Sequence, residues 1–266
     1  MIKLAVIGRD VSKSASPPIH KFIAREMQKG ITYDCISIPE EEFEQVIDGI
    51  IARYDGINVT IPYKLSVMPR LKNIVGDAQT FGAVNTVSCA ELNGYNTDGL
   101  GFMQMLRSNK IDVKGKAVLM LGAGGAGRSC TKKMLDEGAA VEIYDRSYER
   151  ALALQTEFGV KAVDSVNVKR RYLIVNATGV GMHESVGVSP LPKEVINQCE
   201  AAVDLIYEPK KSEFLKIAEE AGKKIVNGFA MLFYQAYYAD CIFFGIQPDE
   251  AQATALYNKF IKEIRL

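Results

Sequence analysis

Apolar and polar positions along this chain alternate between the two-residue period of strands and the longer period of helices. An apolar run at 3–7 reads as a buried strand. A helical pattern over 17–29, closed by Gly30, and a second strand at 33–38 follow. Positions 39–51 read as a helix, with Pro39 in its first turn and Glu40, Glu41 and Glu42 at its positive end. A third strand covers 57–60, and 84–89 with 92–95 reads as a hairpin marked by Asn93-Gly94. This half is α/β, with a parallel part and an antiparallel edge. A short helix over 99–108 leads into the polar stretch 110–116, a domain boundary by composition. A second series then begins, with strands at 117–121, 141–144, 173–176, 203–206 and 224–226 and helices between them, such as 126–137 and 212–221. Strands joined by helical crossovers predict a doubly wound parallel sheet. The end is helical: an aromatic-rich stretch over 229–244, then an amphipathic one over 248–264. The expected class is α/β in two domains. The first covers 1–108, has a mixed sheet and is completed by C-terminal helices within 236–266. The second covers 109–235.

Composition narrows the function classes. The 266 residues carry 32 basic and 32 acidic side chains, so the formal net charge is zero, and the longest basic run is the short Lys169-Arg170-Arg171. No nucleic-acid partner is expected. Five widely spaced cysteines form no CxxC pair, which argues against a disulfide framework or a zinc site and suits a reducing compartment. No run approaches the length of a membrane span, and the N-terminal apolar run is too short for a signal peptide. The expected setting is the cytoplasm, with no membrane partner and no metal.

The first chemical motif is a glycine loop. Gly122, Gly124 and Gly127 fit G-x-G-x-x-G, and Ala123, Gly125 and Ala126 fill the spacing. Alone the pattern is weak. Here it follows an apolar strand and opens a helix, the context in which backbone N–H groups receive a dinucleotide pyrophosphate in a Rossmann-type domain. Asp145 stands 23 residues after Gly122, near where an acid binds the ribose 2′-hydroxyl of NAD. Arg146 follows it and Arg150 lies one helical turn on, and two guanidinium groups suit the 2′-phosphate of NADP. The two signals conflict. Asp145 either repels the phosphate or turns away from it.

The first half places polar residues at the ends of its strands: Ser14 and Ser16, Thr60 and Lys64, Asn85, and Asn96-Thr97-Asp98. They suit a polyhydroxylated ligand. Together with the glycine loop, the chain resembles the shikimate dehydrogenases. The resemblance is carried in order by S-A-S-P-P-I-H at 14–20, N-V-T-I-P-Y-K at 58–64, G-A-V-N-T at 82–86 and N-T-D-G-L-G at 96–101. It continues through G-A-G-G-A-G-R at 122–128, N-A-T at 176–178, D-L-I-Y-E-P at 204–209 and G-F-A-M-L-F-Y-Q at 228–235. A hydride exchange between an alcohol and a nicotinamide needs a group to move the hydroxyl proton, which a lysine beside a carboxylate can do.

The resemblance implies NADP-dependent, reversible reduction of 3-dehydroshikimate to shikimate, in aromatic amino-acid biosynthesis, by a monomer or homodimer. It implies that Lys64 and Asp98 form the catalytic pair and that Ser14 and Ser16 bind the substrate carboxylate. Thr60, Lys64, Asn85, Asp98 and Gln235 would hold the hydroxyls, with Tyr207 on the substrate side. Beyond the glycine loop, Asp145, Arg146, Ser147, Arg150 and Thr178 would bind the nucleotide, and Leu205 and Gly228 would lie near the nicotinamide. The chain departs from the family pattern in two places, and the first, 8–13, also lacks the family's proline. Lys13 stands where a histidine usually precedes the serines, and Asp145 stands where asparagine is frequent. NAD as cofactor, quinate as a second substrate and a non-catalytic ligand sensor are the alternatives. Bland readings remain for single residues: a solvated Lys64, an Asp98 or Ser16 that only caps a helix, and a structural His20.

Overall fold

The computed structural model describes residues 1–264. The chain divides into two compact units, 1–101 with the C-terminal segment from 233, and 102–232.

The first unit is built on a six-stranded mixed sheet. Its strands are β1 (Ile2–Gly8), β2 (Ile31–Ser37), β3 (Gly56–Val59), β4 (Asn73–Ile74), β5 (Thr86–Ser88) and β6 (Asn93–Tyr95), in the order β2-β1-β3-β5-β6-β4. β1 pairs in parallel with β2 and β3, whereas β5 runs antiparallel to β3 and β6. Alternation in β1 explains how both faces are buried. Ala5 and Ile7 join Ile57, Val59 and the inner stripe of α2 (Phe43–Arg53: Phe43, Ile47, Ile50, Ile51). Leu4 and Val6 pack with Tyr33 and Phe243 on the other face.

α1 (Ser16–Glu26) starts on a Pro17-Pro18 pair. Proline lacks the N–H that a first helical turn leaves unbonded anyway. α1 ends at Glu26, and the left-handed residue that turns the chain is Gln28 (φ 55°) rather than Gly30. The final helices are α9 (Phe229–Phe244) and α10 (Glu250–Glu263), the latter capped by Asp249, which accepts from Ala251 and Gln252 N–H. α10 returns to α1: Phe22 meets Phe260 at 4.8 Å between ring centroids, Arg25 bonds Glu263 and Lys259 bonds Glu26. The expected hairpin forms with its turn one step earlier. Residues 89–92 make the turn, Leu92 takes the left-handed conformation (φ 55°), and Asn93-Gly94 lie inside β6. A side chain on Gly94 would collide with Leu71 and Val84, so this glycine serves close packing. Two short elements, β4 and α3 (Asp77–Phe81), lie outside the expected pattern; neither the two residues of β4 nor the single turn of α3 carries a run of apolar residues that marks it.

α4 (Asp98–Ser108) leads toward the second unit, a six-stranded sheet with every pair parallel. Its strands are β7 (Ala117–Leu121), β8 (Ala140–Tyr144), β9 (Lys161–Val163), β10 (Arg171–Asn176), β11 (Cys199–Asp204) and β12 (Lys224–Asn227), in the order β12-β11-β10-β7-β8-β9. The helices of this unit include α5 (Gly125–Asp136), α6 (Tyr148–Phe158), α7 (Lys193–Ile196) and α8 (Glu213–Glu220). The chain builds outward from β7 to β9, then returns to add β10 on the other side of β7. That reversal is the switch point where doubly wound sheets bind ligands. β9 is an edge strand that the sequence pattern does not single out. β11 begins four residues before the expected start, because Glu200 interrupts its apolar run. Among the described residues no helix is long and apolar enough to cross a membrane.

Candidate active site

In the first unit, three chain segments bring a lysine and a carboxylate together. After β3, Thr60 N–H donates to Ile7 O and Tyr63 N–H to Thr60 O, with a cis Ile61–Pro62 bond between them. Lys64 O then accepts from Val84 N–H, which ties the turn to the segment entering β5. The Lys64 ammonium reaches Asp98 Oδ2 at 2.6 Å, and the two side chains are 26% and 13% exposed. Asp98 Oδ1 accepts from Asn85 Nδ2 at 2.8 Å. Asn85 is itself fixed: its Oδ1 accepts from Thr97 N–H and the Thr86 hydroxyl, each at 2.9 Å. Both Asp98 oxygens are therefore engaged away from its own helix. The turn entering α4 is held instead by Asn96, whose Oδ1 accepts Asp98 N–H at 3.0 Å. A half-buried ion pair whose carboxylate is also held by an amide keeps one geometry while its ammonium stays partly open to a ligand.

The serines lie at the start of α1. Ser14 Oγ accepts Ser16 N–H at 3.2 Å, and both residues are half-buried. Ser16 lies near the Tyr33 hydroxyl and favours its ionised form. Burial, reinforced by the Asp240 carboxylate, pushes the Tyr33 hydroxyl well above the usual range, so it stays a donor. It donates to Asn58 Oδ1 at 2.7 Å. Thr60 is half-buried beside the end of β1, where a side chain on Gly8 would strike its methyl group. Gln235 is half-buried on α9.

In the second unit, a cleft of about 950 Å³ opens at the ends of β7, β8 and β10. Gly122, Gly124, Asp145, Arg146, Arg150 and Thr178 all line it. The glycines divide the labour. A side chain on Gly127 would lie 1.9 Å from Gly122 O, so this glycine lets α5 approach β7. A side chain on Gly124 or Gly125 would meet nothing within 4 Å, so the outer side of the loop is open at the start of α5. Gly122 takes φ 97°, which only glycine adopts readily.

The conflict over Asp145 resolves here. Its Oδ2 accepts Ala123 N–H at 2.7 Å and its Oδ1 accepts Ser147 N–H at 2.9 Å, so the carboxylate is tied to the backbone on both sides. Among the described residues neither Arg146 nor Arg150 has a carboxylate partner, and both are exposed in the cleft. An open glycine loop at a helix N-terminus and two unpaired guanidinium groups fit a phosphorylated dinucleotide.

Thr178 is set by β10: its hydroxyl donates to Asn176 Oδ1 at 2.6 Å, and Asn176 Nδ2 donates to Asp204 Oδ1 at 3.0 Å. Burial pushes the Asp204 carboxyl up, opposed by hydrogen bonds from Ser212, Ile206 N–H and Asn176. Leu205 N–H donates to Asn176 O, and Gly228 N–H donates to Ile206 O. A side chain on Gly228 would lie 2.0 Å from Leu205 O. Leu205 and Gly228 thus form one close backbone contact. They are not among the residues lining the β7–β8–β10 cleft, and neither is Tyr207, which is exposed and packs edge-on against Phe229.

Comparison with known proteins agrees with this arrangement. Residues 6–87 match the family described as shikimate dehydrogenase substrate binding domain, and residues 104–180 match that described as shikimate / quinate 5-dehydrogenase. Shikimate dehydrogenase (NADP(+)) of Thermus thermophilus is 38% identical over 251 residues, which cover 94% of this chain and 95% of that one. This chain belongs to the shikimate dehydrogenase family. A crystal structure of shikimate 5-dehydrogenase from Thermus thermophilus, in complex with NADP(H) and shikimate, superposes with a TM-score of 0.88 at 36% identity, covering 97% and 99% of the two chains. A shikimate 5-dehydrogenase from Listeria monocytogenes, in complex with shikimate and NAD, has a TM-score of 0.84 at 25% identity, covering 100% and 96%.

Within this shikimate dehydrogenase fold, the structure also gathers polar residues to which the sequence motifs assign no role of their own. Tyr33, Asn58 and Thr86 bridge the strands between the serines and Asn85. Asn176 and Asp204 stand behind Thr178. The available signal was a polar residue inside an otherwise apolar strand, as with Asn58 in Gly56–Val59.

Proposed function

We propose that this chain catalyses the NADP-dependent, reversible reduction of 3-dehydroshikimate to shikimate, with Lys64 and Asp98 as the catalytic pair. The observation that carries the reading is the Lys64–Asp98 ion pair, with Asn85 holding the second carboxylate oxygen. When bound at the second unit, the nicotinamide supplies the hydride for reduction and accepts it in reverse. The Lys64 ammonium donates a proton to the ketone oxygen as the hydride reaches the ketone carbon, and the neutral amine regains its proton from water. Asp98 keeps the ammonium directed and accepts a hydrogen bond from the neighbouring substrate hydroxyl. Until its proton moves, the ammonium stabilises the negative charge developing on oxygen.

Ser14 and Ser16 bind the substrate carboxylate, and Thr60, Asn85 and Gln235 hold the ring hydroxyls. Gly122 to Gly127 receive the pyrophosphate, with Thr178 beside it. Arg146 and Arg150 bind the 2′-phosphate, with Ser147 at the same turn, and Asp145 shapes the loop through Ala123 N–H instead of binding the ribose. Leu205 and Gly228 lie near the nicotinamide, and Tyr207 lines the substrate side. All five cysteines are free, which suits a cytoplasmic enzyme.

The test is to follow reduced nicotinamide by its absorbance with shikimate and with quinate, each with NADP and with NAD. Turnover with shikimate and NADP, well above the other three pairings, is expected. Equal turnover with quinate or NAD would move the chain to the dual-specificity members. Shikimate binding without turnover in any pairing would refute the catalytic reading.

A further inference from the structure

Behind the serines and Asn85, the first unit holds a polar assembly that the proposed reaction does not use. His20 on α1 and Asp240 on α9 are both fully buried, and His20 Nδ1 lies 2.7 Å from Asp240 Oδ1. Among the described residues, His20 Nε2 and Asp240 Oδ2 have no hydrogen-bond partner. Burial pushes the Asp240 carboxyl up, with His20 opposing. An apolar pair of similar volume would serve packing at least as well as two buried ionisable groups with unsatisfied atoms. Stability alone therefore does not account for the pair.

The pair also neighbours Tyr33, whose hydroxyl is polar. The imidazole stacks on the Tyr33 ring at 4.4 Å between centroids, 17° from parallel. From there the contacts fork. One arm runs from the Tyr33 hydroxyl to Ser16, which lies one turn before His20 on the same face of α1. The other runs from the Tyr33 hydroxyl to Asn58 at 2.7 Å. Asn58 reaches Thr86 Oγ1 at 3.3 Å and Asn85 O at 3.4 Å, and Asn85 holds Asp98. One hydroxyl thus stands between the serine end of the site and the Lys64–Asp98 end.

We infer that the buried His20–Asp240 pair is a positioning unit for the substrate site, fixing the Tyr33 ring so that its hydroxyl sets the spacing between Ser16 and the Asn85–Asp98–Lys64 group. The inference rests on the proposed function for the identity of the substrate. A rigid substrate with a carboxylate at one end and the reacting hydroxyl at the other is sensitive to that spacing. Small misplacements of binding groups cost large factors in rate.

The test is a double-mutant cycle on the full chain. Tyr33→Phe removes the hydroxyl and keeps the ring stack. Asp240→Leu removes the partner of His20 at similar volume, and Asp240→Asn keeps an acceptor for the imidazole. Tyr33→Phe and Asp240→Leu are each expected to lower kcat/KM for shikimate about tenfold, and the double variant by about the same factor, since both act through one hydroxyl. Asp240→Asn should recover most of the loss, and KM for NADP should stay within about twofold of wild type. Multiplicative losses in the double variant would overturn the inference. So would a lowered melting temperature with unchanged kinetics for shikimate. Tyr33→Phe leaves no cavity at the pair, so it carries the test even if Asp240→Leu folds poorly. Wild-type turnover of shikimate is recorded first. Its absence would refute the proposed function and this inference with it, whereas normal wild-type turnover with unaltered variants would refute this inference alone.

Discussion

Replacing Arg146 and Arg150 by alanine tests the choice between phosphorylated and unphosphorylated dinucleotides. Arg146 follows β8, Arg150 sits in the first turn of α6, and both line the glycine-loop cleft with no carboxylate partner among the described residues. The nearest acid in sequence, Asp145, has both oxygens engaged by backbone N–H groups. The guanidinium charges are therefore free to meet a phosphate. A hydrogen bond to a charged group contributes about 1.5–3 kcal/mol, and exposure places these two near the lower bound. Each single replacement is expected to raise KM for NADP about tenfold, and the pair about a hundredfold if the two act independently. NAD lacks the phosphate, so its KM should change by less than about threefold. Raising the salt concentration should weaken NADP binding in the wild type more than in the double variant. Initial rates at saturating shikimate give both constants, and a melting curve checks folding. Equal losses for the two cofactors, or an NADP preference that survives the double replacement, would refute the assignment.

Asp98→Asn keeps an acceptor for Asn85 but removes the charge that holds the Lys64 ammonium; kcat for shikimate should fall about a hundredfold or more, and a loss below about threefold would remove Asp98 from the catalytic pair. Gly228→Ala forces the Leu205 backbone to shift, because the new side chain would start 2.0 Å from its carbonyl oxygen. The expected cost is about 1–3 kcal/mol in denaturant unfolding, with impaired cofactor kinetics. Gly49→Ala, exposed in α2 with nothing within 4 Å, should instead stabilise by about 0.5–1 kcal/mol. At the edge of the second sheet, burial raises the Glu142 carboxyl, but hydrogen bonds from Lys161 and Lys169 outweigh it and bring it from 4.5 to about 2. A depressed carboxyl stabilises the fold above its unfolded value and loses that contribution as pH falls toward the folded one. Glu142→Gln should therefore flatten the decline of stability between pH 4.5 and about 2, and a curve parallel to wild type in that window would contradict the assignment.

The parts of the site that could be read from sequence are those whose chemistry is local. The glycine loop announces itself because strand, turn and helix lie within one short stretch, and each glycine answers to a steric demand of its own. Lys64 and Asp98 are each marked by the motif around them, and the resemblance pairs them, but their approach is not local. Lys64 and Asp98 are 34 positions apart, and only the pairing of β3, β5 and β6 brings them to 2.6 Å. The direction of Asp145 is likewise outside sequence spacing. An acid beside two arginines can pair with them, repel their ligand or bond the backbone, and the three differ only in side-chain torsion. The short elements β4, β9 and α3 are set by the strands or turns beside them and not by their own periodicity.

α9 carries the opposite lesson. Its sixteen residues are apolar around the whole circumference, the pattern of a helix buried on all sides, and that much follows from sequence. Asp240 is the one charged residue in that helix. A carboxylate there has to find a partner within reach or raise its pKa, and the structure shows both responses, with His20 as the partner. By sequence alone His20 reads as a structural residue. The sharper signal was the misplaced acid across the fold. A buried ionisable pair is costly wherever it stands, and this one stands one ring away from the hydroxyl that joins Ser16 to Asn58. If the pair served packing alone, its removal would register in the melting temperature and leave the kinetics for shikimate untouched.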